Sequence, residues 1–227
     1  MGIMKAQIPA RPTEGLTLIE LLVIIVVVGF LGVQLLVVLH AAKYHLSGRI
    51  NCIKNLHEIG TAFQIWKKDH NDKYPMPFAF TNNETLKIMT NGSAYILWQT
   101  MSNELNTPKV LYCPDDKERK AALSFSSGFT DVNISYFLNL DVSNETNANM
   151  ILDGDDNLAN NGMRVKPGIL NLPTTNSLAW TRERHRGAGD IGMADGSVLQ
   201  TTPATLNAAI INATNGAPVT TYRWVIP

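Results

Sequence analysis

Cysteine is nearly absent from this chain. Cys52 and Cys113 are the only two among 227 residues. Two are too few for a disulfide-rich scaffold, and their spacing fits no zinc-ligand pattern. An excess of charge of either sign is absent too, since 19 basic residues balance 19 acidic ones. That gives no electrostatic case for a nucleic-acid binder, which usually needs a basic surface, so no nucleic-acid partner is expected. It also excludes an acidic, solvating disordered protein. The chain has no nucleophile elbow, no His-Glu-x-x-His pair and no phosphate-cradling glycine loop. It has no repeat of fixed period.

What is present is unevenly distributed. Residues Met1–Gly15 are mixed, with Lys5, Pro9, Arg11 and Pro12. Leu16-Thr17-Leu18-Ile19-Glu20 follows, and from Leu21 to Leu39 the only strongly polar residue is Gln34. Such a run is long enough to cross the roughly 30 Å core of a bilayer as a helix. A removable secretory signal would have a shorter apolar region and a small-residue cleavage site, for which His40-Ala41-Ala42-Lys43 is a poor match. A plain signal anchor fits the length but leaves Glu20 unexplained. A carboxylate at mid-membrane depth costs roughly 2.5–3.5 kcal/mol, less near the interface.

The helical pattern continues past the apolar run. Leu46, Ile50, Ile53, Leu56, Ile59, Phe63 and Trp66 recur at steps of three and four, which predicts an amphipathic helix. Lys43, Arg49, Lys54, Glu58, Lys67 and Lys68 supply much of its polar face. Asn71-Asp72-Lys73-Tyr74-Pro75 ends it near His70. A helix over 16–70 would be roughly 80 Å long at 1.5 Å per residue, so its second half must pack its stripe on the rest of the chain.

Beyond Pro75 the composition turns to Asn, Thr, Asp, Gly and Pro. Short apolar runs at Ala94–Trp98, Val110–Tyr112, Ile134–Leu140, Ser177–Thr181, Ile191–Ala194, Ser197–Thr201 and Tyr222–Ile226 predict the strands of a small antiparallel sheet. Thr85–Thr90 and Pro203–Asn212 read as short helices. The expected class is therefore α+β: a leader over 1–15, a long helix over 16–70 (apolar 16–39, amphipathic 40–70), and a β-rich head over 71–227.

Within the head, Asp195-Gly196 between two strand-like runs predicts a hairpin with a type I′ turn. His185 precedes it, with Asp190 between. These residue types suit an acid–base pair or metal ligands; the structural alternative makes Asp195 a turn residue and His185 its hydrogen-bonding support. Asp153-Gly154-Asp155-Asp156-Asn157 sets oxygen ligands at alternate positions, a candidate calcium loop through Asp153, Asp155 and Asn157. It lacks the later glutamate and the glycine of an EF-hand, and a solvated turn is the other reading. No other cofactor is expected.

The stretch from Gly15 to Ile24 resembles the processing motif of type IV prepilins and type II secretion pseudopilins. The resemblance implies cleavage between Gly15 and Leu16 by a prepilin peptidase and N-methylation of Leu16, where phenylalanine is usual. It implies that Glu20 serves assembly by pairing with the amine of a neighbouring subunit; an α-amino group titrates near 8 and is cationic at neutral pH. His185 and Asp195-Gly196, with nine residues between them, are similar to a signature of a bacterial subfamily of these proteins, and Asn71–Pro75 and Leu111–Asp116 look similar to it as well. The implied architecture is pilin-like, a long helix packed on a sheet. The implied setting is the bacterial inner membrane, crossed once, with the head in the periplasm or in an extracellular filament of like subunits. A filament subunit, not an enzyme, is thus the expected function. The alternatives are an anchored module binding a surface ligand or polysaccharide through Trp66, Trp98, Trp180 and Trp224, and a tethered hydrolase using His185. In an exported head, Cys52 on the apolar side of the helix and Cys113 at the end of a strand-like run can form one disulfide; the alternative is two buried thiols.

Overall fold

The computed structural model describes residues 15–76, 93–142, 147–173, 177–214 and 221–227. The chain divides into two compact units, Met1–Tyr44 and His45–Pro227.

Helix α1 runs Leu18–Asp69. In the first unit its start is set by Thr17 and Glu20. The Thr17 N–H donates to Glu20 Oε2 at 2.9 Å, and the Glu20 N–H donates to Thr17 Oγ1 at 3.4 Å. This reciprocal pair is a capping box, which satisfies two backbone donors that no helical carbonyl reaches. Gly15, Leu16 and Thr17 are therefore outside the helix. Leu18–His40 is long and apolar enough to span a membrane, and none of it is buried.

In the second unit, Cys52, Leu56, Ile59, Ala62, Phe63 and Trp66 of α1 are buried in one hydrophobic core with the sheet residues. Ile50, assigned to this stripe from its spacing, is instead 56% exposed. Two residues on a helix turn 200°, so Ile50 lies opposite Cys52, and the stripe reaches back through Gly48. The Leu46 side chain lies outside the described residues. The helix stops where Asn71 (φ 54°) and Asp72 (φ 58°) turn left-handed and the Asp72 N–H donates to Lys67 O at 2.9 Å, a tolerated use of Asn and Asp.

The expected helix at Thr85–Thr90 lies outside the described residues. Ala94–Trp98 and Val110–Tyr112 are not strands. The first belongs to α2 (Tyr95–Thr100), followed by α3 (Ser102–Leu105), and the second to a 3₁₀ turn over Pro108–Leu111. A short apolar run does not separate strand from buried helix. Here Leu97, Trp98, Met101 and Leu105 are all buried, at helical rather than alternating spacing.

The other expected strands occur. They are β1 (Tyr136–Asn139), β6 (Leu178–Trp180), β7 (Gly189–Met193), β8 (Val198–Thr201) and β9 (Thr221–Ile226). Four more were not anticipated: β2 (Ile151–Asp155), β3 (Leu158–Asn160), β4 (Met163–Arg164) and β5 (Gly168–Pro173). A six-stranded sheet has the order β5-β9-β1-β2-β7-β8, and a three-stranded one β4-β3-β6. Every pairing is antiparallel. Helix α4 (Pro203–Thr214) buries Leu206, Ala209, Ile210 and Ala213. Phe137 of β1 and Trp224 of β9 stack with ring centroids 4.1 Å apart. The class is α+β, with an N-terminal apolar helix and antiparallel sheets.

Cys52 of α1 and Cys113 form a disulfide with their Cα atoms 5.2 Å apart. The bond closes a loop of 61 residues, which in the chain-entropy view stabilises the fold by roughly 4 kcal/mol. The double variant Cys52→Ser/Cys113→Ser should lose about that much in urea unfolding of the full chain in detergent, and reducing the wild type should have the same effect.

Candidate functional site

Charged residues in the second unit are concentrated where the apolar core should be. Asp155 ends β2 with no exposure, and Asp190 sits inside β7, also with none. The Asp190 N–H donates to Asp155 Oδ2 at 2.8 Å. Two buried carboxylates this close need cations, and the segment after β6 provides them. Arg184–Gly187 forms a tight turn in which the Gly187 N–H donates to Arg184 O at 3.2 Å. His185 (φ 49°) and Arg186 (φ 59°) take left-handed conformations at its centre, the φ pattern of a type I′ turn. That conformation is costly for residues with a Cβ, and it carries Arg184 and His185 inward together.

The Arg184 guanidinium meets Asp156, reaches Asp116 at 3.3 Å and Asp155 at 3.8 Å, and donates to Ser135 O at 3.0 Å. Arg119 also pairs with Asp156 and lies 3.5 Å from Asp116. Arg49 of α1 lies 2.9 Å from Asp190 Oδ1. His185 is enclosed: its Nδ1 is 3.0 Å from Asp115 Oδ2, its Nε2 is 3.4 Å from Asp155 Oδ2 and 3.5 Å from Cys113 Sγ. Gly48 makes room for this on α1, since a Cβ there would stand 2.0 Å from Asp115 Oδ1.

The environment shifts the charges in opposed directions. Burial disfavours the His185 imidazolium, but contact with Asp155 and the charges of Asp190 and Asp115 outweigh it and hold its pKa above the ordinary 6.5. Burial, then the charge of Asp155, raise the Asp190 carboxyl against the pull of Arg49. Asp153, on β2, is buried, and burial outweighs a backbone contact from Gly192 and pushes its carboxyl up to about 8.

No family model, no curated protein and no solved structure matches this chain. Its own geometry is therefore the guide.

That geometry separates His185 from Asp195. His185 joins the ionic cluster, whereas Asp195 stands at the β7–β8 turn, where its Oδ1 accepts from the Ser197 N–H at 2.8 Å. That contact holds its carboxyl below the usual range. The turn is not type I′. Gly196 has φ 85° and Asp195 is not left-handed; the Gly196 N–H donates to Met193 O and the Met193 N–H donates to Ser197 O, both at 2.9 Å. This is a three-residue loop with glycine at the bulge, which needs only one positive φ. The turn docks on α1: Gln64 Nε2 donates to Ala194 O at 2.9 Å, and His57 Nδ1 lies 3.2 Å from Gly196 O. Gly60 faces the same turn, where a Cβ would stand at ordinary contact distance, 3.5 Å from Gly196 Cα. The Asp153–Asn157 segment is not a solvated loop either. Asp153, Asp155 and Asn157 are buried, because the stretch is strand β2 and its continuation, and Asn157 Nδ2 donates to Thr181 O at 3.2 Å. Trp66, Trp98, Trp180 and Trp224 all lie in the core.

Sequence reasoning missed Arg49, Asp115, Asp116, Arg119, Asp156 and Arg184 as one cluster. The available signal was charge inside apolar stretches, as in Leu152-Asp153-Gly154-Asp155 and Asp190-Ile191. Removing one partner of a buried ionic group leaves the others uncompensated. Arg184→Met, which removes the guanidinium from Asp155 and leaves Asp116 and Asp156 with Arg119 alone, should cost about 3–5 kcal/mol in chemical denaturation of the full chain.

Proposed function

We propose that the chain is a structural subunit of the type IV pilin or pseudopilin kind. On this reading it is cut between Gly15 and Leu16, anchored by Leu18–His40, and assembled through its N-terminal helix with like subunits. The observation that carries the proposal is the boundary at Thr17. The Gly15–Leu16 bond precedes the capping box, in backbone that α1 has not taken up, and a peptidase needs such non-helical backbone. Immediately after it begins an apolar segment with no intrachain partner among the described residues. A helix with no polar face needs lipid or other apolar helices around it.

The α+β arrangement, with the second part of α1 buried against antiparallel strands, is compatible with a pilin-like head. The Cys52–Cys113 bond supports a head outside the cytoplasm, where disulfides persist, and hence a bacterial inner-membrane protein crossing once. The competing readings are weakened by burial. The four tryptophans named for glycan binding are core residues, and the His185 side chain is fully enclosed and apart from Asp195.

Two outcomes test the proposal. Intact mass of the membrane-purified protein should correspond to a chain beginning at Leu16, with or without one methyl group; loss of the first 15 residues leaves 212 of 227. An N-terminus at Met1 in a host with active prepilin peptidase would falsify it. Glu20→Ala should insert in the membrane as well as the wild type or better, since a charge leaves an apolar segment. It should nevertheless fail to co-assemble with wild-type subunits, as read by cross-linking in the envelope.

A further inference from the structure

Five carboxylates converge in the head: Asp115, Asp116, Asp155, Asp156 and Asp190. Three guanidinium groups face them, from Arg49, Arg119 and Arg184. Counting guanidinium groups alone, three positive charges face five negative ones. Three of the cluster's oxygens have no hydrogen-bond partner, Asp155 Oδ1, Asp156 Oδ1 and Asp190 Oδ2. The first two still face Arg184, whereas no cation among the described residues is within ion-pair distance of Asp190 Oδ2, and Asp190 is fully buried. A buried carboxylate oxygen left without a donor is costly. We propose that Asp155, His185 and Asp190 form a binding site for one divalent transition-metal ion of the zinc type.

The geometry fits such an ion in three respects. One ligand atom each from Asp155, His185 and Asp190 lies within 4.8 Å of the others. His185 Nε2 and Asp155 Oδ2 are 3.4 Å apart, close to the roughly 3.3 Å between tetrahedral ligands bound at about 2.0–2.1 Å. The other imidazole nitrogen faces Asp115 at 3.0 Å, the place where a metal-ligating histidine usually has a carboxylate that fixes its tautomer. The imidazole decides the class of ion. Oxygen-only sites suit calcium and magnesium, whereas a nitrogen among carboxylates suits zinc and its neighbours. The site therefore shares only Asp155 with the candidate calcium set Asp153, Asp155 and Asn157, and takes a different ion.

Cys113 Sγ also lies 3.5 Å from His185 Nε2. Its sulfur is bonded to Cys52, so it is not a thiolate ligand in the oxidised head. The three ligands come from β2, the Arg184–Gly187 turn and β7, and Arg49 links Asp190 to α1. An ion here would bind separate segments together, a structural role. The inference does not depend on the processing or assembly proposed above.

The test is a zinc titration of the full chain, purified in detergent without reductant, stripped with chelator and dialysed. Calorimetry should show one equivalent bound, and the thermal midpoint should rise by about 5–10 °C at a hundredfold excess of zinc over Kd. His185→Gln and Asp190→Asn should each weaken binding by about 100-fold or more. Their near-UV circular dichroism and their lack of free thiols report whether the fold is kept. Asp115→Asn should weaken it about 10–100-fold, as expected of a residue that only orients the histidine. Where a variant does not fold, cobalt in the wild-type protein gives a second measurement: visible d–d bands without a sulfur charge-transfer band are expected. No saturable binding at one equivalent, equal binding by folded His185→Gln and Asp190→Asn, or a sulfur charge-transfer band would each overturn the site.

Discussion

Asp155 has no contact with water, and a carboxylate in that position must be matched by charge and hydrogen bonds from other segments. That requirement organises the head. Its partners come from a backbone amide of β7, from Arg184 at 3.8 Å and from His185 at 3.4 Å. Arg184 in turn holds Asp116 and Asp156, and Asp190 holds Arg49 on α1. An apolar core tolerates a shift in register better than this arrangement does, because every displaced charge becomes an unpaired buried one. The left-handed backbone at His185 and Arg186 is the local cost of bringing two cations into the interior from a single turn.

The disulfide acts on the same region from the other side. Cys113 is followed by Pro114, Asp115 and Asp116, so the residue that bonds to α1 directly precedes two of the carboxylates of the cluster. Covalent and ionic constraints thus meet on one short segment. The Asp195-Gly196 turn adds a third attachment to α1 through Gln64 and His57. His185 and Asp195-Gly196 therefore belong to two anchoring points separated by β7. Strand β7 takes up five of the nine residues between them.

Much of this was legible in the sequence. The long helix, the apolar segment, the five β-rich runs at Ile134–Leu140 and beyond, and the α+β class follow from periodicity and turn residues, which are local. Ala94–Trp98 and Val110–Tyr112 were misassigned because a run of three to five apolar residues is too short to show a period. Strand β2 was concealed by its charges: Asp153, Gly154 and Asp155 look like a loop, and only pairing with β1 and β7 makes them strand. The same holds for the ionic cluster. Asp115, Asp155 and Asp190 are far apart in sequence, and no local pattern distinguishes a buried aspartate with a distant arginine from one on the surface. Asp195 was recognised as a turn residue, but its turn type was not, because a three-residue loop and a two-residue one place Asp-Gly alike.

Strand β9 lies between β5 and β1, so one of the inner strands of the larger sheet is formed by residues 221–226. Leu138 pairs with Val225, and Leu170 with Trp224. A chain emerging from its amino end therefore has β5 and β1 made but not joined until those last residues arrive. Sheets closed by such distant pairings form late and slowly. Until residues 221–226 are in place the larger sheet is two separate parts, β5 on one side and β1, β2, β7 and β8 on the other.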